Sequence, residues 1–109
     1  MNASDMELVQ ELKRGLPLKI LEHVRGLVVF GSRARGTADS ESDLDALFLV
    51  DECDRVIEEG VKDVAYDIMI RHNFKPVFSI KMMEEYKYKK YLKEGFSFYQ
   101  AVDREGIWI

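Results

Sequence analysis

The sequence predicts a small α/β fold in which a mixed β-sheet is flanked by helices. Three observations predict it. Residues 27–30 form a continuous apolar, β-branched stretch, and 44–50 is apolar on both faces except where Asp45 opens it, as in strands buried within a sheet. A long amphipathic run follows the second stretch, and a third short extended segment follows that run. Gly and Pro separate the segments, with no repeat, low-complexity tract or shift of composition to divide the 109 residues. One domain spanning 1–109 is the expectation.

The elements follow in order. Ser4 or Asp5 is placed to cap a first helix whose apolar positions are Met6, Leu8, Val9 and Leu12, and Gly15-Leu16-Pro17 interrupts it. A second helical piece carries Leu18, Ile20, Leu21 and Val24 as far as Arg25-Gly26. A strand over 27–30 ends at Gly31, and the loop 32–42 leads to a strand over 44–50. Asp51 or Asp54 then caps the clearest helix, with Val56, Ile57, Val61, Val64, Ile68 and Met69 recurring at three- and four-residue spacing to about residue 72. A third strand is expected over 76–80, then helices over 82–92 and 97–105, with Ser97 as a cap and Gly106 as a stop. The tail Ile107-Trp108-Ile109 is apolar enough to require a surface to cover.

Bulk properties exclude several classes. A net charge of −4 argues against a general nucleic-acid coat, which needs a dominant basic surface. No apolar run approaches the roughly 18 residues of a membrane span, and residues 1–5 lack the zones of a signal peptide, so a cytoplasmic protein is expected. Cys53 is the single cysteine and has no partner for a disulfide or a zinc site. Residues 39–63 hold ten acids against Arg55 and Lys62, whereas 81–93 is lysine-rich; two solvated helix faces explain this as simply as a steering field does. Tyr86, Tyr88, Tyr91, Phe96, Phe98 and Tyr99 among those lysines read as partial core packing rather than a stacking platform for nucleic acid. His23 and His72 have no second ligand at metal spacing.

The chemistry lies in Phe30-Gly31-Ser32-Arg33-Ala34-Arg35-Gly36-Thr37 and, shortly after, Ser42-Asp43-Leu44-Asp45. A strand that ends in Gly-Ser and turns into a helix exposes backbone N–H groups to a phosphate. Gly31 permits close approach, the Ser32 hydroxyl can hydrogen-bond a phosphoryl oxygen, and Arg33 or Arg35 can offer a charged fork. Asp43 and Asp45 are two apart on a strand, so both carboxylates fall on one face and can share a hard cation such as Mg²⁺. A P-loop is excluded because Thr37 stands where its lysine must be, and no GxGxxG follows a strand.

Gly-Ser, the ten residues Arg33 to Ser42, and Asp-Leu-Asp together resemble the signature of the nucleotidyltransferases of the DNA polymerase β superfamily. Within it the chain is most similar to the minimal nucleotidyltransferase group, sometimes encoded beside a HEPN-type toxin and serving as its antitoxin. The resemblance implies a polymerase-β-like palm, with catalytic and metal-binding roles for Asp43 and Asp45 and nucleotide contacts from Gly31, Ser32, Arg33 and Arg35. It further implies one or two Mg²⁺ ions, ATP as substrate, and transfer of AMP to a hydroxyl acceptor, plausibly on the toxin. The family pattern usually adds a third carboxylate on the next strand. This chain has Val77, Phe78 and Ser79 there, and Ser79 is the residue expected to face the two acids. That gap keeps open the alternative of a nucleotide-binding antitoxin that acts by contact with little or no catalysis.

Overall fold

In a computed structural model describing residues 1–109, the two apolar runs form the central pair of a four-stranded mixed sheet. The order of elements is α1 (Ala3–Gly15), α2 (Leu18–Leu21), β1 (Val24–Phe30), α3 (Gly31–Arg35), β2 (Leu44–Val50), α4 (Arg55–Arg71), β3 (Phe78–Glu84), α5 (Glu85–Lys93), α6 (Ser97–Glu105) and β4 (Ile107–Trp108). The strands lie in the order β3-β2-β1-β4. β1 and β2 are antiparallel neighbours joined through the short α3 segment, whereas β2 and β3 are parallel and need the α4 crossover.

Alternation along β2 explains why its sequence is apolar on both faces. Leu44, Ala46, Phe48 and Val50 pack with Leu8, Val9 and Leu12 of α1 and Ile57, Val61, Ala65 and Ile68 of α4. Leu47 and Leu49 point to the other side, where Val28, Tyr88 and Val102 meet them. Helices therefore cover both faces, and no helix is long and apolar enough to cross a membrane. By the same alternation Asp45 belongs to the α5 and α6 face, at the start of its strand.

Several expected boundaries shift. Asn2, not Ser4 or Asp5, caps α1 by accepting from the Asp5 N–H at 2.8 Å. Of the two candidates for α4, Asp54 is the cap and accepts from Val56 N–H at 2.6 Å. β1 begins at Val24, with its register irregular between Val24 and Gly26, so the second helix stops at Leu21 and His23 lies in the turn after it. β3 starts at Phe78 and continues to Glu84 through residues expected to be helical. The cap of α6 is Phe96 rather than Ser97, with no side-chain hydrogen bond. The apolar tail forms β4, with Trp108 opposite Val28, Ile107 opposite Val29, and Ile109 N–H donating to Leu27 C=O at 2.9 Å.

Candidate active site

The site begins where β1 gives way to α3. Phe30 is extended and Gly31 turns the chain with φ +77°, a conformation in which an L side chain is strained. A Cβ at Gly31 would also collide with the Asp45 carboxylate, so the glycine sets how closely the turn and the acid approach. α3 ends after Arg35 at Gly36, whose φ of 78° allows Thr37 N–H to reach Ser32 C=O at 3.0 Å. The return loop is tied internally by Asp39, which accepts from Glu41 N–H at 2.9 Å and from the Ser42 hydroxyl at 3.2 Å.

Arg33, expected from the sequence to contact the nucleotide, has partners within the protein. Its Nη1 donates to both oxygens of Asp5 at 3.1 Å, and its Nε donates to Ser42 C=O at 2.8 Å. The two side chains retain 10% and 5% exposure. The guanidinium is thus largely buried, with its Nε and Nη1 occupied. It fastens the loop to α1 and fixes the residue directly before Asp43. The signal could not be read locally, because Asp5 is 28 positions away.

Arg35 is placed differently. It is half-exposed, touches Glu105 only at 3.7 Å, and acts on the Asp45 charge. Beside it, Phe30, Gly31, Phe98, Ala101 and Glu105 line a cleft of about 180 Å³ between α3 and α6. Larger hollows of about 540 and 530 Å³ lie across the loop, around Asp5 and Arg33, and neither touches Asp43 or Asp45.

The acids sit at the head of β2. Asp43 is exposed just before the strand, and Asp45 is half-buried within it, paired with Phe30 on β1 and Ser79 on β3. Burial, then the charge of Asp43, pushes the Asp45 carboxyl above its ordinary range, while the Ser79 hydroxyl, Lys81 and Arg35 act the other way. A half-buried carboxyl raised by burial and by a neighbouring acid is one whose charge a divalent cation would relieve, so the donor set suits Mg²⁺. No cluster of three carboxylate, His or Cys groups forms there. Ser79 stands at the register position beside Asp45, on the strand where the full pattern carries its third acid.

Gly31, Asp43, Asp45 and Arg35 are therefore brought together, with Ser32 following Gly31 in the first turn of α3. Lys81 is the residue that sequence reading did not single out as a site residue. It shares a face of β3 with Ser79, which becomes visible only once the strand is known to run to Glu84. His23 instead bonds Asp51, and His72 is the C-cap of α4.

The sequence model of the nucleotidyltransferase domain family matches residues 6–95, a span that contains the Gly31 turn, Asp43, Asp45 and Ser79. A protein of Methanocaldococcus jannaschii, named as a candidate protein adenylyltransferase, is 31% identical over 104 residues, 95% of this chain and 97% of that protein. A crystal structure of a toxin–antitoxin with AMP-PNP is similar in fold, with a TM-score of 0.56 at 16% identity over 95% of this chain and 70% of that one. A mutant of the toxin–antitoxin MntA-HpeT gives a TM-score of 0.52 at 16% identity, over 100% of this chain and 72% of that one.

Proposed function

The chain belongs to the nucleotidyltransferase domain family and is a nucleotidyltransferase enzyme; from that premise we propose that it transfers AMP from ATP, with Mg²⁺ held by Asp43 and Asp45, to a hydroxyl group on a protein partner of the HEPN toxin type. The observation that carries the reading is the placement of the Asp45 carboxylate against the Gly31 turn, with Asp43 beside it. A phosphate cradle and a pair of hard ligands are thereby adjacent.

In this reading the backbone N–H groups after Gly31 and the Ser32 hydroxyl receive the phosphates. Arg35, exposed at the lip of the cleft, offers the guanidinium that Arg33 does not. Bound Mg²⁺ would neutralise the leaving pyrophosphate and orient the α-phosphoryl group. The aromatic and apolar walls of the cleft at Phe30 and Phe98 limit water beside the Gly31 turn. A protein acceptor is supported by the name of the M. jannaschii relative, and a toxin partner by the two toxin–antitoxin neighbours. We take 1–109 as one catalytic domain working in the cytoplasm. The match over 6–95 and a sheet drawn from β1 to β4 support the first part, and an unpaired cysteine supports the second.

Calorimetric titration with ATP tests the metal clamp. Binding is expected with Mg²⁺ and lost in EDTA, and Asp43→Asn with Asp45→Asn should abolish it. Equal affinity without metal, or normal binding by the double variant, overturns the assignment. Ser79 favours the second reading, an antitoxin that neutralises its partner by contact. Co-expression separates the two: Asp45→Asn should lose protection from the toxin if AMP transfer protects, and keep it if contact does.

A further inference from the structure

We propose that the Lys81 ammonium takes the place of a second metal ion at this site, so that the enzyme works with one ion and meets the acceptor oxygen with a fixed positive charge. The proposal rests on the nucleotidyltransfer reading above. In the full pattern the third carboxylate holds an ion next to the attacking hydroxyl, and here the parallel register puts Ser79 beside Asp45 instead. A serine hydroxyl is a poor ligand for a second divalent ion, so its place near the acceptor needs another cation.

Lys81 supplies it by geometry. It pairs with Leu47, the position after Asp45 on the same face of β2, and lies two residues beyond Ser79 on the same face of β3. Diagonal neighbours of this kind have Cα atoms about 7–8 Å apart, a gap the four-carbon lysine stem can span. Its field reaches the Asp45 carboxylate, together with that of Arg35. Of the arginines of α3, Arg33 is held by Asp5, and Arg35 lies at the lip of the cleft with only a 3.7 Å contact to Glu105. Lys81 is exposed and forms no ion pair, which leaves its three donors for a bound group.

In the transfer step a bond forms between the acceptor oxygen and the α-phosphorus, and the bond from that phosphorus to the bridging oxygen breaks. Pyrophosphate leaves and the hydroxyl proton passes to water. The Lys81 ammonium keeps its protons throughout and donates a hydrogen bond to the oxygen as negative charge gathers on it.

Counting bound Mn²⁺ by electron paramagnetic resonance, with α,β-methylene-ATP present, tests the arrangement without any turnover, because that analogue cannot be cleaved between its α- and β-phosphates. The wild type should bind one Mn²⁺ per chain, and Ser79→Asp combined with Lys81→Ala should bind two. Pyrophosphate release from ATP, with water as acceptor, should fall about 10²-fold in Lys81→Ala while the affinity for α,β-methylene-ATP is unchanged. Two Mn²⁺ ions in the wild type, one in the double variant, or unaltered pyrophosphate release in Lys81→Ala overturns the proposal and leaves the nucleotidyltransfer reading standing. No metal-dependent binding of α,β-methylene-ATP by the wild type overturns both.

Discussion

Replacing Arg33 with alanine should destabilise the fold by about 3–5 kcal/mol, although the residue sits in the loop that reads as a nucleotide contact. The magnitude follows from burial. With side-chain exposures of 10% for Arg33 and 5% for Asp5, the substitution leaves a carboxylate inside the protein without its counter-charge. The position of Asp5 in the first turn of α1 returns only about 0.3–1 kcal/mol through the helix dipole. Loss of the Nε bond to Ser42 C=O adds about 1 kcal/mol. A chain of 109 residues is expected to be stable by about 5–16 kcal/mol, so the variant would lose a large part of its margin. Urea denaturation should show a much lower midpoint at unchanged slope. Pairing Arg33→Met with Asp5→Leu should restore most of the stability, because a well-packed apolar pair can replace a buried ion pair. The same double variant still lacks the bond that fixes Ser42, so its affinity for Mg²⁺-ATP should remain low. Arg33→Ala within about 1 kcal/mol of the wild type would refute the buried-pair argument, and full nucleotide binding by the double variant would refute the positioning argument.

Gly31→Ala forces a side chain into both a left-handed backbone and the Asp45 carboxylate, so it should cost about 1–3 kcal/mol and weaken Mg²⁺-ATP binding in calorimetry. Gly36→Ala shares the positive φ but meets nothing within 4 Å, and should leave binding intact. The Asp51 carboxyl is held below its ordinary range, first by the hydrogen bond from His23 and more weakly by Glu52 N–H and Arg25. A lowered folded value means that its stabilisation is complete above the ordinary carboxylate range and is lost as pH falls through the folded value. The difference in Tm between wild type and Asp51→Asn should therefore hold at neutral pH and close on acidification.

Most of the candidate site was legible because it is local. Gly31, Ser32, Asp43 and Asp45 lie within fifteen residues, and strand alternation alone puts the two acids on one face. Strand β2 was readable for a related reason: with helices on both faces, it has no polar position to blur its ends except the acids themselves. The parts that were not legible depend on distance along the chain or on very short elements. Arg33 resembles a phosphate fork until Asp5 is folded against it. β4 has two residues, too few for any periodicity, and exists because β1 offers it an edge. β3 was read short because Met82, Met83 and Glu84 favour helices in isolation, although Ser79, Ile80, Lys81 and Met82 do alternate polar and apolar. The register with β2 overrides that local preference, and it puts Lys81 on the same face of β3 as Ser79.

The same logic resolves the acidic run between residues 39 and 63. Asp51 is taken up by His23 and Arg25, and Asp54 by the first turn of α4. Glu58 and Glu59 pair with Lys62 and Arg55 one turn away on the same helix, and Asp39 ties its own loop. A charge block that looks like a field for steering ligands is largely a set of caps and short-range pairs, each of small energy at the surface. Asp43 and Asp45 differ from these neighbours in what surrounds them. Neither has an ion-pair partner within 4 Å, Asp45 is half-buried, and the nearest positive groups act on it only through space. Folding leaves this charge without an ion pair, where Asp51, Glu58 and Glu59 of the same run each have one, and places it against the Gly31 turn. In the proposed reading a metal-bound triphosphate would bring positive charge to the acids and negative charge to the turn in a single ligand, so neither half of the site should bind its share well alone.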